Sequence, residues 1–426
     1  MTIQSASQSI KSVAVYTVYP WKHAITTLRI TGPLEEAGLQ VIKGNTDDDI
    51  HPERVSQSDA VVIQREFPDY ARHYQQIISL ARDREIPVIY EIDDLLLELP
   101  DEHPDQAINY YTPALFQMLR AVLEADLVTT TTPELRDYYS AFNPNTMVLP
   151  NYLDETLWKP AKPDPVADGP LTIGYIGSST HKPDLELISP ALVKILERYP
   201  DRIRFHAWGV EPPLELIEHR QVGWTPLLIK DYREFAAYVS ARKCDIYIAP
   251  LVDSFFNQCK SAVKFLEYSI QGIPGVYSDV APYSRAITHG ENGMLAANLD
   301  DWETHLHALI EQPALRQKIG LRARQTILDH WRLSQHAHKW RQAYQEAHQI
   351  AADAEQRRSK EQLTGTYIRL ASQVRRWQEK ILAESAHKDR TIQQLQDKLS
   401  AIENSRSWRV ANFLREIRSS LTKDNL

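Results

Sequence analysis

Lys260 to Asp279 reads KSAVKFLEYSIQGIPGVYSD, a helix, a stop, a turn and a strand within twenty residues. Val263, Leu266 and Ile270 recur at helical spacing and give the helix one apolar face. Lys260, Lys264 and Glu267 stand at i, i+4 and i+7, so they share another face. Gly272 ends the helix, Pro274 prevents its return, and Val276 and Tyr277 start a buried strand. Two lysines in the first turn and a carboxylate in the next suit a phosphate at one end and a diol further along. On an isolated helix the plainer reading is a Lys–Glu pair on a wet face. The rest of the chain decides between them.

Upstream, two runs of alternating strands and helices are expected. In the first, Val13 to Val18, Leu39 to Ile42, Ala60 to Gln64, Pro87 to Ile92 and Leu127 to Thr131 are strands. Helices fall at Thr26 to Ala37, Tyr70 to Arg84, Leu115 to Ala125 and Pro133 to Ala141. Asn151 to Pro170 is broken by prolines and reads as a linker. The second run has strands at Leu171 to Ile176, Ile203 to Trp208 and Asp245 to Ala249, with helices from Leu185 to Arg198 and Tyr232 to Ala241. This pattern predicts an α/β protein of two Rossmann-like, doubly wound domains with a cleft between them.

Ligands of such sheets lie at the carboxyl ends of the strands. Arg65, Asp93 and Asp94 are placed there in the first domain. Asp94 as a helix cap and Asp93 as a loop-turning residue is the structural alternative to a carboxylate facing the cleft. In the second domain the turn GSSTHK, Gly177 to Lys182, joins a strand to a helix. Its amides and helix start suit a diphosphate, although it matches neither a Walker loop nor GxGxxG. His103 reads as a surface-loop histidine, and His330, His336 and His338 as packing residues.

The chain of 426 residues carries a net charge of −8, which argues against nucleic acid as a partner. Residues 355–426 hold 15 Lys/Arg against 9 Asp/Glu, a charge of +6 that leaves −14 for the body. Cys244 and Cys259 are the two cysteines and have no metal spacing, so a reducing cytoplasm is expected and no metal site. The N-terminus has no apolar targeting segment, and membrane contact is expected to be peripheral at the inner face. Leu363, Tyr367, Leu370, Val374, Trp377 and Ile381 form a heptad seam that resumes at Ile392, Leu395, Leu399 and Ile402. A self-associating coiled coil over 363–402 is expected, against the alternative of one helix folded back on the body. Residues 405–426 then form a basic amphipathic tail suited to an anionic membrane surface; packing on a partner chain is the alternative.

Five blocks carry a family resemblance over about residues 12–350: VLPNYLDETLW, IGYIGSSTHKPDLELI, CDIYIAPLVDSFFNQCKSAVKFLEYSIQGIPGVYSDVAPY, HGENGML and DDWETHLHALIEQPALRQKIGLRAR. They resemble the GT-B glycosyltransferases, in particular the family 4 type of bacterial surface-polysaccharide synthesis. The resemblance implies an enzyme that moves a hexosyl group from a nucleotide-diphosphate sugar to a lipid-linked glycan acceptor, without a metal or cofactor and with retention. It implies Glu267 on the nucleotide ribose and the amides of Ser261 to Lys264 on the diphosphate. Gly177, Ser178, Ser179 and Lys182 would form the other wall. Many members have a glutamate on the donor sugar where this chain has Cys259, and Asn257 and Lys260 are the substitutes implied. Asp93 and Asp94 fall where the family places a residue facing the sugar, and are the catalytic candidates. The implied division is 1–155 acceptor-side domain, 156–170 linker, 171–350 donor domain with its last helix crossing back, 351–404 coiled coil and 405–426 tail. A non-catalytic GT-B scaffold recruiting a transferase through the coiled coil, or a sugar-nucleotide epimerase, are the competing readings.

Overall fold

The computed structural model describes residues 9–159, 169–242 and 244–403. The chain forms two units, residues 1–362 and 363–426. The first contains two parallel six-stranded sheets.

The N-terminal sheet comprises β1 (Ser12–Tyr16), β2 (Gln40–Lys43), β3 (Ala60–Gln64), β4 (Val88–Glu91), β5 (Leu127–Thr130) and β6 (Thr146–Val148), in the order β2-β1-β3-β4-β5-β6. Side chains alternate between its faces. Ala14 and Tyr16 enter one apolar layer with Val61 and Ile63, while Val13 and Val15 enter the other with Val62 and Ile30. The second sheet comprises β7 (Leu171–Gly177), β8 (Ile203–Gly209), β9 (Val222–Thr225), β10 (Ile246–Ala249), β11 (Gly275–Ser278) and β12 (Met294–Ala296), in the order β12-β11-β10-β7-β8-β9. Ile246 and Ile248 face one layer, and Tyr247 and Ala249 the other. The strand order reverses between β1 and β3 in the first sheet and between β7 and β10 in the second. Such reversals open a crevice at the strands' carboxyl ends, where α/β sheets take their ligands.

The chain then returns to the first domain. Trp340, Ala343, Tyr344 and Ala347 of the helix His338–Ala352 pack in one cluster with Val13, Val15 and Ile30. Arg341 donates to the carbonyls of Ala37, Gly38 and Ile10.

Three strands, β6, β9 and β12, escaped the sequence pattern. Each has only three or four residues, and β6 and β9 are no more than half-buried. Edge strands of this kind lack the continuous apolar run that marks the central ones. A second difference concerns the opening stretch. Its helix spans Val263–Ser269, so Lys260 and Ser261 belong to the preceding loop and Lys260 does not share a helix face with Lys264. Gly272, at φ +75°, supplies the left-handed stop.

The second unit contains the continuation, from Leu363, of the helix Ala354–Glu403. Leu370, Trp377, Ile392 and Leu395 on it are more than half exposed. Residues 405–426, expected as the amphipathic tail, lie outside the described residues, as do the side chains of Leu399 and Ile402 and the linker prolines Pro160, Pro163 and Pro165. Among the described residues no helix is long and apolar enough to cross a membrane.

Candidate active site

A cavity of about 200 Å³ lies at the carboxyl ends of strands from both sheets, lined by residues that follow β1 and β4 in the first and β7 and β10 in the second. The first domain contributes Arg29, Asp93 and Asp94, and the second His181, Lys260, Ser261 and Lys264. Of the residues singled out in the sequence, the structure therefore brings Asp93, Asp94, Lys260, Ser261 and Lys264 together.

The second domain presents cations and small polar groups. Lys264 Nζ donates to His181 Nε2 at 3.2 Å, and His181 Nδ1 bonds Asp184 Oδ2 at 2.7 Å. The other Asp184 oxygen accepts the Val252 amide at 2.8 Å, which ties the loop after β10 to the helix after β7. Burial holds the His181 pKa down at about 4, with Lys264 adding to the effect, so the ring is neutral. Its Nδ1–H then faces the carboxylate and its Nε2 lone pair faces the lysine. Burial also lowers Lys264 to about 8, against the pull of Asp184. Lys264 is thus a cation whose charge is poorly solvated, and an anion entering the cavity would satisfy it. Lys260 Nζ lies 3.6 Å from Asp94 Oδ1 and 4.4 Å above the Phe256 ring.

The first domain reaches the same loop through a buried relay. Arg29, in a π turn over Thr27–Thr31, is 1 % exposed. Single π turns in helices gather at functional positions. Arg29 Nε donates to Glu91 Oε1 at 2.7 Å, and its Nη1 donates to the Leu149 carbonyl at 2.7 Å and to Asn151 Oδ1 at 2.9 Å. Asn151 Nδ2 in turn donates to Ser261 Oγ at 2.7 Å. Sequence reading missed Arg29 and Asn151, and only the folded chain shows that a strand, a helix and a linker residue act on one serine. Asp93 accepts from Arg65 Nη1 at 3.2 Å, so its carboxylate is oriented from within its own domain.

Other expected residues stand outside the cavity lining. Glu267 is buried and accepts from the Tyr232 hydroxyl at 2.8 Å, which also accepts from Trp158 Nε1 at 3.0 Å. The wet-face ion pair is therefore not what forms. Burial pushes the Glu267 pKa up to about 7, against that hydrogen bond and Lys264. Ser178, Ser179 and Lys182 are exposed, and Gly177 is half-buried at the end of β7. The Gly177 carbonyl accepts the Val210 amide at 2.7 Å, and a Cβ on Gly209, at φ +96°, would lie 2.1 Å from that oxygen. Asn257 uses its amide on the Val252 carbonyl at 2.9 Å.

Cys259 gives the clearest correction. The sequence placed it at the sugar end of the pocket, yet it is 0 % exposed and clusters with Phe256, Leu95 and Tyr139 in the core of the first domain. Its carbonyl accepts from the Thr132 hydroxyl at 2.8 Å. A loop of the second domain is thereby seated in the first. His103 packs edge-on against Phe256, with ring centres 5.1 Å apart, and is more than a loop residue. His336 stacks on Tyr152 at 4.1 Å, a packing role.

Two facing Rossmann-like domains with a crossing-back helix define the GT-B fold, which solved structures share. Residues 170–312 match the family described as Glycosyl transferases group 1. HepE of Anabaena, solved in complex with UDP-glucose, is 13% identical with a TM-score of 0.52, the match covering 78% of this chain and 98% of that one. Sucrose-phosphate synthase of Thermosynechococcus elongatus is 15% identical with a TM-score of 0.54 over the same shares, 78% and 98%. TarM is 13% identical with a TM-score of 0.50, over 69% of this chain and 57% of its own length. At these identities the likeness is one of fold. No curated protein matches the chain. The resemblance to GT-B glycosyltransferases read from the sequence is borne out by the fold and by the domain match.

Proposed function

We propose that the protein transfers a sugar from a nucleotide-diphosphate donor to a glycan acceptor, in the manner of family 4 transferases of bacterial surface polysaccharides. The observation that carries this is the cavity itself, in which Lys264, Lys260 and Ser261 of the group 1 transferase domain face Asp93 and Asp94 of the other. As the bond from the sugar's C1 to the diphosphate oxygen breaks, its electron pair leaves with the diphosphate. Lys264 and Lys260 would meet that charge, and charge that grows in a transition state is where fixed cations act most strongly. The acceptor hydroxyl oxygen bonds to C1, and its proton passes to a donor phosphate oxygen if the reaction is retaining. Asp93 and Asp94 are proposed to orient the acceptor and the sugar. Glu267 is proposed to hold the ribose, with the nucleotide sugar as a substrate and neither metal nor cofactor required. The cavity is smaller than the roughly 300–1,000 Å³ usual for small-molecule sites.

Calorimetric titration with UDP, GDP and dTDP tests the donor half. One of them should bind, and Glu267→Ala should weaken it about tenfold, the loss of one charge-assisted hydrogen bond of ~1.5 kcal/mol. Lys264 binds the diphosphate only as a cation, so affinity should fall as pH rises above about 8. Lys264→Met should abolish that alkaline limb. A flat pH profile in the unaltered protein would remove Lys264 from the diphosphate site.

The exposed apolar side chains of the helix beyond Leu363 support the second part of the reading, self-association through 363–402. A cytoplasmic protein docked on the inner membrane face through 405–426 completes it. Removing residues 363–426 should lower the mass seen by light scattering and the binding to anionic liposomes. Unchanged values for both would defeat it.

A further inference from the structure

A second concavity, a groove of about 480 Å³, opens in the first domain alone. It lies where the strand order of that sheet reverses, since Tyr19 follows β1 and Glu66, Asp69 and Tyr70 follow β3. This is the place where an open α/β sheet takes a ligand of its own. Tyr110 and Tyr111 complete its wall. Tyr70 and Tyr110 are 50 % and 58 % exposed, large rings with no core to fill.

The other walls are fixed. The Tyr19 hydroxyl donates to Glu66 Oε1 at 2.7 Å, and Arg65 Nη2 donates to the Tyr111 hydroxyl at 2.8 Å. The Arg65 guanidinium sits 5.3 Å from the centre of the Tyr19 ring and is itself buried. It also holds Asp93 of the interdomain cavity at 3.2 Å. One buried arginine thus forms the partition between groove and cavity. Exposed aromatic faces suit the C–H faces of sugar rings, and the exposed Asp69 carboxylate suits their hydroxyl groups. Arg65 is the cation beside the groove and it faces Asp93 and Glu66 together, so Asp69 leaves the lining with an excess of negative charge. An anionic sugar would be repelled.

We infer that this tyrosine-lined groove binds an uncharged stretch of the acceptor glycan, one or more sugars away from the hydroxyl that reacts. The inference rests on the transferase reading for the ligand's role as acceptor, but the binding itself does not. Saturation-transfer NMR on the full chain, without nucleotide, tests it with four neutral probes, malto-, cello-, chito- and mannotetraose, and one anionic probe, tetragalacturonate. At least one neutral tetramer should receive saturation and the uronate none. The surface variant Tyr70→Ala/Tyr110→Ala should lose at least fivefold in that signal while its affinity for nucleoside diphosphates stays unchanged. Absence of signal from all four neutral probes, equal signal from the uronate, or full signal in the variant would each overturn the groove. If the tetramer signal behaves as expected while no nucleotide binds, the groove stands as a glycan site and the transferase reading falls.

Discussion

Arg29→Met should lower the stability of the folded chain by about 3–5 kcal/mol, the cost of breaking a buried ion pair by removing one partner. Glu91 is 2 % exposed, and burial already pushes its pKa up despite Arg29 at 2.7 Å. Without the guanidinium that buried carboxylate keeps the Thr129 hydroxyl as a donor but has no cation beside it. A raised folded pKa costs stability only where the unfolded carboxylate is ionised, so the deficit should grow with pH and shrink toward pH 4. The double variant Arg29→Met/Glu91→Gln should recover much of the loss, since neutral pairs can replace buried ionic ones at little cost. Thermal unfolding at several pH values measures all of this. A single-variant loss under about 1 kcal/mol, or no recovery in the double, would contradict the buried pair. The same substitution frees Asn151, so the hydrogen bond that orients Ser261 in the cavity should weaken with it.

Cys259→Glu, which puts at this position the carboxylate that the family resemblance implies, should destabilise the chain by about 1–3 kcal/mol through overpacking, with the desolvation of a buried carboxylate adding to it. The Cys259 thiol is pushed up to about 12, first by burial and then by Asp94 and Glu98. A glutamate there would face the same apolar wall and the same two carboxylates. Cys259→Val, close in volume, should cost less than about 1.5 kcal/mol. Denaturation of the pair at pH 7 separates them, and equal stability would mean that position 259 is not seated in the first domain's core. Functionally, an enzyme with this seat has its second-domain loop anchored across the cleft. The departure from the family pattern is then a change of contact, with a side chain that packs where a sugar ligand is expected.

These two residues mark the limit of what the sequence made legible. Central strands such as Ala60–Gln64 were readable because burial on both faces leaves an uninterrupted apolar run, here AVVIQ. The two Rossmann-like halves were readable for the same reason, and the GT-B type followed from the family resemblance. Lys264 was readable too, because it stands in a long ungapped block with Gly272 and Pro274. Lys260 was misplaced by three residues of helix, since the helix begins at Val263 behind Ala262, which has no capping side chain to mark the start. The burial of Glu267 was not legible, because spacing reveals a helix face but not what covers it, and here Tyr232 does. Arg29 carries no local pattern at all. Its partners lie 62 to 122 residues away in the chain. Tyr70 and Tyr110 likewise belong to no motif, and only the fold sets them in one groove.

The most direct test of the account is product analysis by mass spectrometry after incubating the full chain with UDP-, GDP- and dTDP-sugars and a lipid-linked glycan. The expected result is a glycan longer by one sugar together with free nucleoside diphosphate, formed about 100-fold more slowly by Lys264→Met, the scale on which loss of one transition-state charge partner acts. Recovery of every nucleotide sugar intact, a donor epimerised without acceptor, or a Lys264→Met enzyme of undiminished rate would contradict it.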